Sequence, residues 1–459
     1  MCSGPGRTAA DDAAGAGVRT GGTVWDGTRD VLWYDDEETV FHLSTPEALA
    51  GLSYLVEGGR DFAGKTVYLD ADICLNAQDA AQKTAWTPIG SKTNFAGCLD
   101  GQGHTVEGLY IRAEAKGQGL FANMAEGSCV RALSLTDVDI ETTLASAGAV
   151  CGYNRGGTIE HCTVDGRVSA MSGGLVCGTM YSGAIEGCIS RGSMEGLAIG
   201  SGGICGWSAG TIQRCRNEAG VHTAGELSQY QDDEAGGICG KLSGGVIAQC
   251  SNYGDVSGAN PDNELEYLGG IAGQAVDAFR IEDCYSRGTV TASDHANAGG
   301  LLGCAEGTAG ALCRVYNTGS ITSTRAGGAV GLILNSLATD AVYYRSGSAA
   351  LGVGKGEDTA VSKAPANLKK DSFAETLGEA FSYVPGQYPY LSWELYDLGD
   401  VNGDGLVNVL DLTLLQKHLT RQVRLDGFGC AAADLNADGS VNVLDLTLLR
   451  QWLIAPHID

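Results

Sequence analysis

One line of residues recurs down the middle of the chain: two small residues, an apolar pair that often includes Cys, then Gly, and later an apolar residue three places before another Cys. It reads Gly148-Ala149-Val150-Cys151-Gly152 with Ile159 and Cys162, then Gly173-Gly174-Leu175-Val176-Cys177-Gly178 with Ile185 and Cys188. It continues as Gly202-Gly203-Ile204-Cys205-Gly206 with Ile212 and Cys215, and Gly236-Gly237-Ile238-Cys239-Gly240 with Ile247 and Cys250. The cysteines then thin out, through Gly269 to Gly273 with Ile281 and Cys284, Gly299 to Gly303 with Leu312 and Val315, and Gly327 to Gly331. Copies follow one another every 26 to 34 residues, the mark of a stacked repeat architecture. Each holds short β-prone runs, such as Thr158 to Val164 or Ala184 to Ser190, between Gly, Asn and Asp turn signals. A single copy cannot bury its own apolar face. Stacking copies turns the apolar positions into continuous inward ladders and pairs the backbones from coil to coil. The expectation is a mainly β chain built as a parallel β-helix, with glycines where φ > 0 is needed or where backbones come close.

Composition agrees and removes alternatives. Gly numbers 70 of 459 residues with only 8 Pro and no G-X-Y period, which excludes collagen and Pro/Gly disorder. The formal charge of -26 would repel phosphate backbones, so nucleic acid is not an expected partner. No stretch approaches the roughly 20 consecutive apolar residues of a membrane span. The N-terminus, from Met1 to about Thr20, shows no apolar run of signal-peptide length, and residues 1–22 are expected to be a disordered tail.

The 16 cysteines fall largely on two repeat positions. Cys151, Cys177, Cys205 and Cys239 share one; Cys162, Cys188, Cys215, Cys250 and Cys284 share the other. Adjacent coils lie about 4.8 Å apart, within disulfide reach, yet stacked Cβ vectors run parallel rather than toward each other. Buried free thiols are expected, with some disulfide pairing as the alternative. A metal site would want Cys-x-x-Cys or a Cys/His cluster, and only His161-Cys162 comes near.

The copies resemble the GLUG-type repeats of bacterial surface and secreted proteins. The resemblance extends upstream through Trp86 to Gly90, Phe95 to Val106 and Gly119-Leu120-Phe121, departing at Cys98, where the family usually has an aromatic residue. Ser44-Thr45-Pro46-Glu47, then Leu49, Leu52, Leu55, Val56 and Gly58-Gly59, carry the cap, Pro, apolar-face and stop signals of a short helix. The resemblance implies that this helix plugs one end of the β-helix, and that Ala364 to Trp393 is a closing segment. The expected layout is a tail over 1–22, an N-terminal cap over 23–93, the repeat β-helix with its closing segment over 94–395, and a small all-α domain over 396–459.

That last region carries the most specific motif. Asp400-Val401-Asn402-Gly403-Asp404-Gly405-Leu406-Val407-Asn408-Val409-Leu410-Asp411 and Asp434-Leu435-Asn436-Ala437-Asp438-Gly439-Ser440-Val441-Asn442-Val443-Leu444-Asp445 both place oxygen side chains at alternating positions, with Gly at the sharp turn. These are calcium loops of EF-hand type. Their expected ligands are Asp400, Asn402, Asp404, the Leu406 carbonyl, Asn408 and Asp411, and Asp434, Asn436, Asp438, the Ser440 carbonyl, Asn442 and Asp445, giving two Ca²⁺ ions. Helices are expected over Leu412 to Leu419 and Leu446 to Ile454, with none entering the first loop. Loop plus exiting helix, duplicated 34 residues apart, with Val407 to Leu415 identical to Val441 to Leu449, resembles a type I dockerin. The resemblance implies a cohesin module of a scaffold protein as partner, an extracellular or cell-surface setting, and contact residues Val409, Leu410, Gln416, Lys417 and Arg421 in one copy and Val443, Leu444, Arg450, Gln451 and Ala455 in the other. Apolar Val-Leu pairs stand where clostridial dockerins commonly have hydroxyls, so the cohesin class does not carry over. Near identity of the copies suggests that either could dock.

A catalytic site is harder to read. Tyr230-Gln231-Asp232-Asp233-Glu234 and Asp262-Asn263-Glu264-Leu265-Glu266-Tyr267 are acidic insertions before the repeat glycines of successive coils, with Asp294-His295 comparably placed in the next. Asp233, Glu264 and Asp294 could bracket glycosidase geometry, and Tyr230 and Tyr267 could stack on sugar rings. The plain alternative is that these loops solvate the surface. No Gly-x-Ser-x-Gly elbow or nucleophile with a paired base is present. Two functions are therefore expected in order: a dockerin-borne β-helix that binds glycan or serves as adhesive cargo, and a β-helix polysaccharide hydrolase or lyase.

Overall fold

The computed structural model describes residues 24–459 except 145, 225–232, 260–264, 395–398, 403–406, 424, 426, 437–439 and 455–459. The chain divides into a unit over Thr23–Leu395 and a second containing Tyr396–Asp459. The tail expected over 1–22 lies outside the described residues.

The first unit is a parallel β-solenoid of about 10 turns. Its strands belong to one continuous sheet; the antiparallel pair Phe381–Ser382 with Tyr390–Leu391 stands apart. One ladder runs the length of the core: Val67, Leu99, Val130, Ile159, Ile185, Ile212, Ile247, Ile281 and Leu312 are stacked in register and fully buried. Each such aliphatic side chain is worth about 1.5–3 kcal/mol when buried. The expected cysteine ladders are there too. Cys151, Cys177, Cys205 and Cys239 pair coil to coil, and both sets of cysteines are fully buried. The cysteines of both ladders are free thiols, with no disulfide between them. In the second set each Sγ–H faces a backbone carbonyl of the preceding coil, as in Cys188 to Ile159 O at 3.7 Å and Cys215 to Ile185 O at 3.7 Å.

The runs Thr158 to Val164 and Ala184 to Ser190 are not single strands. The chain forms Cys151–Glu160 and Thr163–Ala170, broken at His161, and Cys177–Glu186 and Ile189–Gly196, broken at Gly187. The break is a left-handed residue just before the second ladder cysteine: His161 (φ 51°), Gly187 (φ 64°), Arg214, Gln249 and Asp283. Only one of these corners is glycine. The repeat glycines serve the other purpose, close approach: a Cβ on Gly206 would lie 2.7 Å from Gly178 O and 2.8 Å from Gly173 N.

A second buried ladder is polar. Ser190 Oγ donates to Asn217 Oδ1 (2.8 Å), and Asn217 Nδ2 to Asn252 Oδ1 (2.8 Å), all without solvent exposure. Asn217 and Asn252 also close their own turns, accepting from Ala219 N and Gly254 N. Hydrogen bonding along the stack is what makes burying these amides tolerable.

Helix α1 (Pro46–Glu57) begins as its sequence requires, with Thr45 Oγ1 accepting from Ala48 N and Pro at the first turn. Leu49, Leu52, Leu55 and Val56 join the solenoid core. The closing segment, with short helices α2 (Pro365–Leu368) and α3 (Asp371–Leu377), lies against the flank of several coils. Leu368, Phe373, Leu377, Phe381 and Leu391 pack on Tyr285 and Tyr316. Glu394 accepts from Ser251 Oγ and Tyr285 OH, each at 2.6 Å.

In the second unit, α4 (Val409–Leu419) and α6 (Val443–Ile454) enclose a small core of Val401, Leu415, Leu425, Ala433 and Leu449. Both helices begin three residues earlier than expected, because Asn408 Oδ1 accepts from Leu410 N at 2.7 Å and Asn442 Oδ1 from Leu444 N at 2.8 Å. Helix α5 (Gly427–Ala433) precedes the second loop. Its Gly-rich start carries no helical start signal. Among the described residues no helix is long and apolar enough to cross a membrane.

Candidate functional site

The two loops share one local construction. Asp411 is fully buried, its Oδ1 accepting from Asn402 N (3.0 Å) and its Oδ2 from Asn408 N (2.8 Å). Asp445, equally buried, accepts from Asn436 N (3.3 Å) and Asn442 N (2.8 Å). Each carboxylate thus ties the middle of its loop to the helix that follows. Asp411 also completes a capping box with Asn408. A carboxylate with no exposure is stable when paired, hydrogen-bonded or bound to a metal.

Asp400, Asn402, Asn408, Asp411, Asp434, Asn436, Ser440, Asn442 and Asp445 are described; Asp404, Leu406 and Asp438 lie outside the described residues. Among the described residues no group of three or more His, Cys, Asp or Glu is arranged to hold a metal ion, and each loop's central aspartate is outside that set. The donors are carboxylate, amide and backbone oxygen, with no thiol or imidazole. That chemistry fits a hard cation of calcium type.

The expected partner-contacting residues fall on the same helices. Val409 and Val443 are each 64% exposed and Leu444 58%, whereas Leu410 is half-buried, so the copies differ at this position. Gln416, Lys417, Arg421, Arg450 and Gln451 are exposed, and Ala455 lies outside the described residues. Trp452, 40% exposed on α6, was not singled out by the repeat pattern, since its counterpart in the first copy is His418.

Of the acidic trio, the two described residues stand in different settings. Asp233 is 1% exposed in the strand Asp233–Gly236, Asp294 sits in an exposed turn, and Glu264 and Tyr230 lie outside the described residues. The residue opposite Asp233 on the next coil is Glu266, also buried. Glu234, buried beside it, pairs with Lys241 Nζ at 2.8 Å and accepts from Gly200 N at 3.1 Å. Tyr267 is 4% exposed and packs with Cys304 and Leu332, which removes its ring from any sugar. In both copies the three residues before the Gly-Gly pair belong to a strand, Asp233–Gly236 and Glu266–Gly269, so Asp233-Glu234 and Glu266-Tyr267 are strand rather than loop.

Residues 398–454 match the model of the type I dockerin domain. Such dockerins bind calcium. Residues 144–169 and 265–291 match the GLUG motif, inside the solenoid. A curated relative from Evansella cellulosilytica, described as "Putative Gly-rich membrane protein", is 32% identical over 132 residues, covering 28% of this chain and 14% of that protein. The chain therefore matches only a small part of that relative's length. Among solved structures, "Crystal structure of a putative immunoglobulin A1 protease from Bacteroides ovatus" aligns over 77% of this chain and 92% of its own, at 14% identity and a TM-score of 0.44.

Proposed function

We infer that the chain is an extracellular component of a cellulosome-like assembly. Its dockerin holds two calcium ions and docks onto a cohesin module, and its β-solenoid is the cargo so presented, binding glycan or acting as an adhesive element. The observation that carries the docking half is the duplicated loop and helix start: a buried Asp411 or Asp445 fixes each loop, and exposed Val409 or Val443-Leu444 stand beside it. Exposed apolar residues at the same place in both copies are what a partner-binding surface offers. Two sites related by near identity also support docking in either orientation. Isothermal titration of the full chain against a panel of cohesin modules is the test. Binding with calcium, retained when either Val409 or Val443 is changed to Asp and lost when both are, supports the reading; no binding to any cohesin defeats it. A polysaccharide hydrolase would need two carboxylates facing a solvent cleft. No observation favours it, with Asp233, Glu234 and Glu266 all buried.

A further inference from the structure

A cleft of about 280 Å³ lies at the N-terminal end of the solenoid, between the segment at 25–29, one side of α1 and the segment at 84–87. Its walls are aromatic. The rings of Trp25 and Trp86 meet edge to face at 5.6 Å, and Tyr54 of α1 stands 47% exposed beside them. The tryptophans are pinned by their indole N–H groups, Trp25 to Thr28 O (2.7 Å) and Trp86 to Leu120 O (3.2 Å). Shape and chemistry are therefore set in advance, as in small-molecule sites, where apolar walls carry a few convergent polar groups.

Two charged groups line the same cleft without meeting. The Arg29 guanidinium lies 3.7 Å from the centroid of the Tyr54 ring. Among the described residues it has no hydrogen bond or ion pair, in a chain of net charge -26 that offers carboxylates in abundance. Stacking occupies a face of the guanidinium and leaves its planar fork of N–H donors to a ligand. Glu57 is held differently: its Oε1 accepts from Ser91 N (2.6 Å) and Lys92 N (3.2 Å), which fixes the carboxylate at the cleft as an acceptor.

We propose that this cleft binds a single sugar ring bearing a carboxylate, a uronic acid residue of a glycan, the Arg29 fork offsetting locally a net charge of -26 that opposes polyanions. The apolar face of the pyranose packs on the half-buried ring of Trp25, with Trp86 buried behind it, its carboxylate takes the Arg29 fork, and its hydroxyls donate to Glu57. The charge argument selects an acidic over a neutral sugar, since the bidentate match of guanidinium to carboxylate is what the fork offers. The Glu57 acceptor and the aromatic walls favour a sugar over a bare anion. This deepens the glycan-binding reading and rests on it.

The test is tryptophan fluorescence and calorimetry on the full chain with calcium, using a uronic acid trisaccharide, the neutral trisaccharide of the same linkage and an acidic peptide. Saturable binding of the acidic sugar, at least about tenfold tighter than the neutral one, is expected from one charge-assisted pair. Arg29→Gln, on an exposed side chain, should bring the two sugars to the same affinity with thermal unfolding unchanged; Trp25→Ala should abolish the fluorescence response. Equal affinities in the unmodified chain, an Arg29→Gln chain that still prefers the acid, or an acidic peptide that displaces the sugar would overturn the proposal. A chain that binds other glycans with Arg29→Gln and Trp25→Ala indifferent refutes this cleft alone; a chain that binds no glycan refutes both readings.

Discussion

The solenoid and the C-terminal unit use repetition for opposite ends. In the solenoid each copy is supported by the coils above and below, and the Val67-to-Leu312 ladder spreads stabilisation over the whole length. In the C-terminal unit two copies share a core of five buried residues among those described, with partly buried apolar side chains packed around it. A core that small needs a further source of stability, and on the proposed function a cation held by the loops of Asp411 and Asp445 supplies it. Repetition gives the solenoid its fold. It gives the dockerin two equivalent loops.

Substitutions that act on one region and spare the other sharpen this contrast. Asp411→Ala removes the acceptor of two charge-assisted hydrogen bonds and a proposed calcium ligand; a loss of about 4 kcal/mol is expected in the C-terminal unit, read as a raised calcium midpoint in circular dichroism while the solenoid transition holds. Ile212→Ala opens a cavity in the solenoid ladder and should cost about 3 kcal/mol in denaturant unfolding, with calcium affinity unchanged. Gly203→Ala drives a Cβ to 2.2 Å from the Asn217 side chain and 2.3 Å from Gly237 O. It should cost about 2 kcal/mol, against under about 0.5 kcal/mol for Gly220→Ala, where nothing lies within 4 Å. A comparable cost for the two glycines would show that close approach is not what selects them.

The smallest effect at neutral pH concerns the thiols. Burial pushes Cys151, Cys205 and Cys250 well above the ordinary thiol range. A raised folded-state value means the folded chain holds its protons longer, so the contribution is complete below the unfolded thiol value of about 8.5 and is lost as pH rises beyond it. The urea midpoint of the solenoid should fall between pH 8 and pH 10. A flat profile would mean that the ladder thiols are not sealed from solvent.

Much of the solenoid could be read from the chain because Ile159, Ile185, Ile212, Ile247 and Ile281 each sit three places before a repeat cysteine. The left-handed corner could not, since its occupants His161, Arg214, Gln249 and Asp283 share no side-chain chemistry and each is held by its backbone N–H donating to a carbonyl of the following coil. The Asn217–Asn252 ladder was hidden for a related reason: asparagine before glycine reads as a turn whether or not it also hydrogen-bonds to the next coil. The two loops expected to bind calcium could be picked out because every proposed ligand of each lies within one short segment. The aromatic cleft was not, because Trp25, Tyr54 and Trp86 come together only when α1 caps the core. Glu266 escaped notice beside Glu264 because side-chain burial depends on where the strand begins.

The contrast between a calcium-held unit and a stack-held unit is tested most directly by hydrogen exchange on the full chain, with calcium and after its removal by EDTA. Amides of α4 and α6 should lose protection on chelation while those of the Ile159-to-Ile281 ladder strands keep theirs. Protection retained in α4 and α6 without calcium would contradict the account, as would its loss from the ladder strands.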